Sequence, residues 1–95
     1  MSAYRLKILT PEKKLFDGDA ISLLVQCEDG QLAVLAGHAP MVAMLTEGSV
    51  FVQTDQAALE GIAGPGMLHV SHTETAVLVH AFQWITEEDD AFGQA

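Results

Sequence analysis

The stretch that decides the fold runs from Gly30 to Gly48, GQLAVLAGHAPMVAMLTEG. Gln31 to Leu35 form a short apolar run, and Gly37-His38-Ala39-Pro40 breaks it abruptly. Gly37 can take backbone angles closed to other residues, and Pro40 pushes Ala39 toward extended geometry, so His38 is held on an ordered bend. An ordered bend between two apolar runs suits a contact surface.

The same reading carries outward in both directions. In Ile21 to Cys27, positions 21, 23, 25 and 27 are apolar while 22 and 26 are polar, the period-two pattern of a strand with one buried face. Tyr4 to Ile8 alternates in the same way. Further strands are expected at Gln31 to Leu35, Val42 to Leu45, Ser49 to Thr54, Ala58 to Ala63, Met67 to Val70 and Thr75 to Ala81. Asp17-Gly18, Glu28-Asp29-Gly30, Asp55-Gln56, Gly64-Pro65-Gly66 and Ser71 to Glu74 supply the turns between them. Short strands at this spacing imply an all-β antiparallel sandwich or barrel.

Composition narrows the function. Ninety-five residues support one domain with a modest core. The chain is 49% hydrophobic, yet no apolar run approaches the roughly 20 residues that a membrane helix needs. Met1 to Leu15 shows no basic start followed by an apolar segment, so a soluble cytoplasmic chain without direct membrane insertion is the expectation. All four basic residues, Arg5, Lys7, Lys13 and Lys14, lie in the first fourteen positions, and the net charge is -9. That leaves no basic footprint for nucleic acid, and a positively charged protein surface is the better partner.

Catalytic chemistry finds little support. His38, His69, His72 and His80 raise the possibility of a metal-dependent hydrolase or sensor, because three imidazoles with an open position make a hydrolytic zinc centre. Exposed or hydrogen-bonded histidines are the simpler reading, with His80 at a sheet surface. Cys27 continues the buried alternation of its strand, and the acids at 28 and 29 would raise its thiol pKa, the wrong direction for a nucleophile. Gly64-Pro65-Gly66 reads as a turn, since no lysine or helix follows to make a phosphate cradle. No catalytic, cofactor or metal residue is assigned.

The Gly30 to Gly48 stretch resembles the N-terminal domain of the epsilon subunit of F-type ATP synthases, matching at Gly30, Gly37, His38, Ala39, Pro40 and Gly48. The resemblance continues through Tyr4 to Phe16 and Gly18, and through Gly66, Met67, Leu68 and Val70 into Val77 and Leu78, covering roughly residues 4 to 82. Ala36 stands where the family usually has proline, and Gly64-Pro65-Gly66 replaces paired glycines after a serine. Gln31 and His80 occupy positions where the family commonly has acids.

The resemblance implies a flattened sandwich of two sheets with about ten short strands over residues 1-85. Residues 86-95 then form an acidic tail or the stub of a missing C-terminal helical hairpin, with Thr86 as a helix cap. It implies no catalysis and no cofactor. The implied role is a central-stalk rotor component on the cytoplasmic side of a bacterial membrane, coupling ion translocation to ATP synthesis or hydrolysis. Its partners would be the gamma subunit and the polar loops of the c-ring. The matching interface candidates are Gln31, His38, Ala39, Pro40, Met41, Val42 and Val77, with Gln31 and His38 placed together near the ring and ordinary core the equal alternative for Val42 and Val77.

Overall fold

The computed structural model describes residues 2–85, and these build ten β-strands. They are β1 (Tyr4–Leu9), β2 (Lys14–Ala20), β3 (Ser22–Cys27), β4 (Gly30–Leu35), β5 (Met41–Leu45), β6 (Gly48–Gln53), β7 (Ala58–Ala63), β8 (Gly66–Val70), β9 (Glu74–Val79) and β10 (Phe82–Ile85). No helix among the described residues is long and apolar enough to cross a membrane. The helix start expected at Thr86 lies outside the described residues.

Hydrogen bonding orders the strands as β10-β7-β6-β3-β5-β8-β9-β1-β2, with β4 added on β3. The joint between β3 and β5 rests on one pair, Cys27 with Leu45, so the ladder folds there into two five-stranded layers. One layer is β10-β7-β6-β3-β4 and the other is β5-β8-β9-β1-β2. Every pairing is antiparallel except β1 with β9, which is parallel, with Leu6 opposite Thr75 and Ile8 opposite Val77. The sequence reading expected antiparallel neighbours throughout. A parallel pair needs a long crossover, and here the intervening β2 to β8 supply it.

Alternation places the core between the layers. Leu6, Ile8, Leu23, Val25, Val34, Val52, Leu68 and Val77 are its largest fully buried side chains. They come from six strands, so no hairpin could bury its own apolar face alone. Burying each such side chain contributes on the order of 2 kcal/mol. At one rim of the sandwich the Tyr4 hydroxyl donates to the Val34 carbonyl at 2.7 Å, tying β1 to β4 across the layers. Burial pushes the Tyr4 phenol well above its ordinary range, so it stays protonated and able to donate.

Two sequence expectations change. Asp17-Gly18 is not a turn: both residues lie inside β2, opposite Lys7 and Leu6 of β1. Asp17 accepts from Arg5 Nε of β1 at 2.7 Å and from Lys14 Nζ of its own strand at 3.0 Å, so the polar dipeptide is held in an exposed strand by charge from both strands. The last strand, β10, pairs antiparallel with β7, with Trp84 opposite Gly61.

Candidate functional site

The outward-facing residues of the second layer form the candidate site. On β5, Val42 and Met44 point away from the core and are 58% and 65% exposed. Register then carries the surface across the layer. Met44 lies opposite Met67 of β8, Met67 opposite Leu78 of β9, and Leu78 opposite Leu9 of β1. Four apolar side chains on four neighbouring strands thus stand in one row, and they border a shallow groove with Thr10, Pro11 and His80.

A parallel row beside it is mixed: Val42, His69, Ala76, Lys7 and Asp17. Here the charges are already matched. Lys7 Nζ approaches Glu74 at 3.4 Å, while Arg5 and Lys14 both hold Asp17, whose carboxyl is kept below the usual carboxylate range by the Lys14 and Arg5 hydrogen bonds. Such exposed pairs add little stability. They do neutralise the border of the apolar row, the arrangement of an apolar centre with a polar rim.

The loop between β4 and β5 extends this surface at one end. Gly37 takes a φ of 85°, a region that side chains disfavour, and the His38 amide donates to Leu35 carbonyl at 3.1 Å. His38 Nδ1 lies 2.7 Å from the Ala39 carbonyl, which orients the ring locally. The expected ordered bend is present. Ala39 and Pro40 are exposed and His38 is half-buried, beside the turn carrying Ser71 and His72.

The structure separates the remaining candidates. Val77 is fully buried in the core, so it offers no surface to a partner; the outward residue of that pair of neighbours is Leu78. Met41 faces the core side of β5 and packs half-buried against it. Gln31 is exposed, but it stands at the start of β4 and His38 lies beyond its end. At about 3.4 Å per residue, Gln31 to Leu35 alone spans roughly 14 Å, so the two cannot share one small patch as the sequence reading placed them. Gln31 instead belongs with Glu28 and Asp29 at the β3–β4 turn, where Gly30 takes a φ of 120°.

Two of the four histidines, His38 and His72, border one groove, and the other two lie apart from them. His69 lies on the outer face of β8, His72 in the β8–β9 turn and His80 after β9, at the opposite end from His38. Among the described residues no three His, Cys, Asp or Glu side chains are placed to share a metal ion. Cys27 is partly buried, and burial followed by the nearby Asp29 charge pushes its thiol up. The row of Met44, Met67, Leu78 and Leu9 escaped the sequence reading because its members are far apart in the chain.

Comparison with known proteins follows the same outline. A family model described as "ATP synthase, Delta/Epsilon chain, beta-sandwich domain" matches residues 3–85. The ATP synthase epsilon chain of Ruminococcus albus is 34% identical over 92 residues, covering 96% of this chain and 69% of that one. A sodium ion specific ATP synthase epsilon chain from Propionigenium modestum is 31% identical over 78 residues, covering 82% of this chain and 57% of that one. A chain in the cryo-EM structure of the Euglena gracilis mitochondrial ATP synthase superposes with a TM-score of 0.82 at 17% identity. That superposition covers 98% of this chain and 62% of the Euglena chain, and speaks for the fold.

Proposed function

The chain belongs to the delta/epsilon-chain β-sandwich family of ATP synthases, and we propose that it serves as an epsilon-type, non-catalytic component of the central-stalk rotor. It binds the gamma subunit through the outer face of the β5-β8-β9-β1-β2 layer and the His38-Ala39-Pro40 loop. Gln31, at the other end of β4, belongs to the contact with the polar loops of the c-ring. The complex lies peripherally on the cytoplasmic side of the membrane.

The observation that carries this reading is the uninterrupted apolar row of Met44, Met67, Leu78 and Leu9 on the outer face of a chain with a net charge of -9. Contiguous exposed apolar surface rimmed by polar residues marks a protein contact. Chemically, the site offers packing and charge, not bond making. Its mechanical contribution is to pass torque between the ring and gamma, and a close-packed core between two layers deforms little under load.

Pull-down by purified gamma subunit tests the reading. Wild-type chain is expected to be retained, and Met44→Glu to lose most of that retention while keeping its β-sheet circular dichroism. A folded Met44→Glu chain that binds gamma as well as wild type would sink the assignment of this face. Wild-type chain that fails to bind gamma at all would sink the rotor reading itself.

A further inference from the structure

We propose that β10 is a latch that clasps the two layers at the edge opposite the β3–β5 joint, with Trp84 as its catch, and that it opens as a unit ahead of global unfolding.

Three local features converge there. The β1–β2 ladder slips between Ile8 and Leu9: Ile8 faces Phe16 while Leu9 faces Lys14, leaving Leu15 as an extra residue in β2. Such a bulge leaves the extra residue unpaired in the ladder and re-aims its groups. The Leu15 carbonyl accepts from the Trp84 indole Nε1–H at 3.1 Å, a bond between residues 69 apart in sequence. Trp84 is the chain's sole tryptophan.

Around that bond the aromatic rings interlock. Phe16 meets Trp84 edge-on with centroids 6.4 Å apart, and Phe82 meets Trp84 edge-on at 4.8 Å. Phe82 in turn lies on Gly61 of β7, where an added Cβ would overlap the ring. The bulge, the indole and the glycine floor thus fit one another across β2, β10 and β7.

The attachment is nonetheless thin. β10 has four residues and, among the described residues, pairs by backbone with β7 alone. Its link to the second layer is made of side chains, and Phe82, Trp84 and Ile85 are each only partly buried. Elements with few buried contacts open at lower free energy than the core. Release of β10 would uncover Leu15, Phe16 and Leu59, which with Trp84 line an apolar groove.

Native-state hydrogen exchange on the full 95-residue chain tests this. In wild type, the β10 amides and the Trp84 indole N–H are expected to exchange at least about tenfold faster than the slowest β3 and β6 amides, by a shared opening. Trp84→Phe, which removes the donor and keeps a ring, should speed β10 exchange by about fivefold, the worth of one hydrogen bond, and speed the slowest β3 and β6 amides by no more than that factor, because their opening includes that of β10. Exchange of β10 and the indole only at the rate of β3 and β6 would overturn the proposal, as would β10 exchange left unchanged by Trp84→Phe. If Trp84→Phe does not fold, the wild-type comparison decides alone.

Discussion

Replacing Gly66 by alanine is the sharpest test of the packing between β8 and β9. A Cβ there would overlap the Leu78 carbonyl oxygen and stand 2.7 Å from Val79 Cγ1 and 2.9 Å from Val79 Cα. Two of those three are backbone atoms of the paired strand, so relief requires the strands to part. Overpacking a close-packed site costs about 1–3 kcal/mol, and backbone obstruction places this site at the upper end. Loss of glycine's freedom in the unfolded chain returns about 0.4–1 kcal/mol, leaving a net loss of about 2 kcal/mol. For a domain of this size that lowers Tm by roughly 8–16 °C. Gly48→Ala is the control. Its Cβ would meet Gln26 Cγ at 2.6 Å, but that is a flexible side chain, and the main loss is the Gln26 bond to the Ser49 carbonyl at 3.2 Å. That loss is worth about 1 kcal/mol and is largely offset by the same unfolded-state gain. Urea unfolding followed by far-ultraviolet circular dichroism measures both, and a Gly66→Ala chain within about 0.5 kcal/mol of wild type would refute the reasoning. Because Leu78 and Met67 sit on those strands, Gly66→Ala should also weaken gamma retention.

Val77→Ala removes two buried methyl groups and is expected to cost about 2 kcal/mol by transfer and cavity terms. Val42→Ala, on an exposed residue, should stay within about 0.5 kcal/mol in the same urea titration. Tyr4→Phe strips the donor from the Val34 carbonyl and should cost about 1 kcal/mol; an unchanged midpoint would show that water replaces it. Asp17 has a folded-state pKa below its unfolded value, so its contribution is fully present above the ordinary aspartate range near pH 4 and is lost as pH falls through the lower folded value. Asp17→Asn should therefore flatten the fall in stability below about pH 4, and an identical acid profile for both chains would contradict that.

How much of this was legible in the sequence depends on which interaction set each element. Ala58 to Ala63 was read residue for residue, because Glu60 and Ile62 alternate cleanly with inward positions and the turns on either side are explicit. Most other strands were placed to within a residue or two for the same reason. Asp17-Gly18 failed because turn chemistry and exposed-strand chemistry use the same residues, and only Arg5 on the neighbouring strand decides between them. β10 was missed because four residues carry too little periodicity. The site was half legible. The bend at His38 follows from Gly37 and Pro40, whereas Ala76 to Val79 are all apolar, so the inward Val77 and outward Leu78 are distinguished only once Val77 is packed against the core.

The comparison between the two outer faces explains why one of them fits a partner. The first layer also exposes large apolar groups, with Leu35 at 56% and Ile62 at 47%. Register keeps them apart: Leu35 faces Ser22, which faces Gln53, and Ile62 stands between Ser49 and Gln83. Phe51 reaches Leu24 on one side but Glu60 on the other. On the second layer the apolar residues share one register line instead, and that line crosses the parallel β9–β1 pair. The alignment depends on that pair, since a slip of one residue between β1 and β9 would turn Leu9 inward and bring Ile8 out. The pairing that the sequence reading did not foresee is therefore the one that completes the proposed docking surface, and a partner lying across it must touch four strands at once.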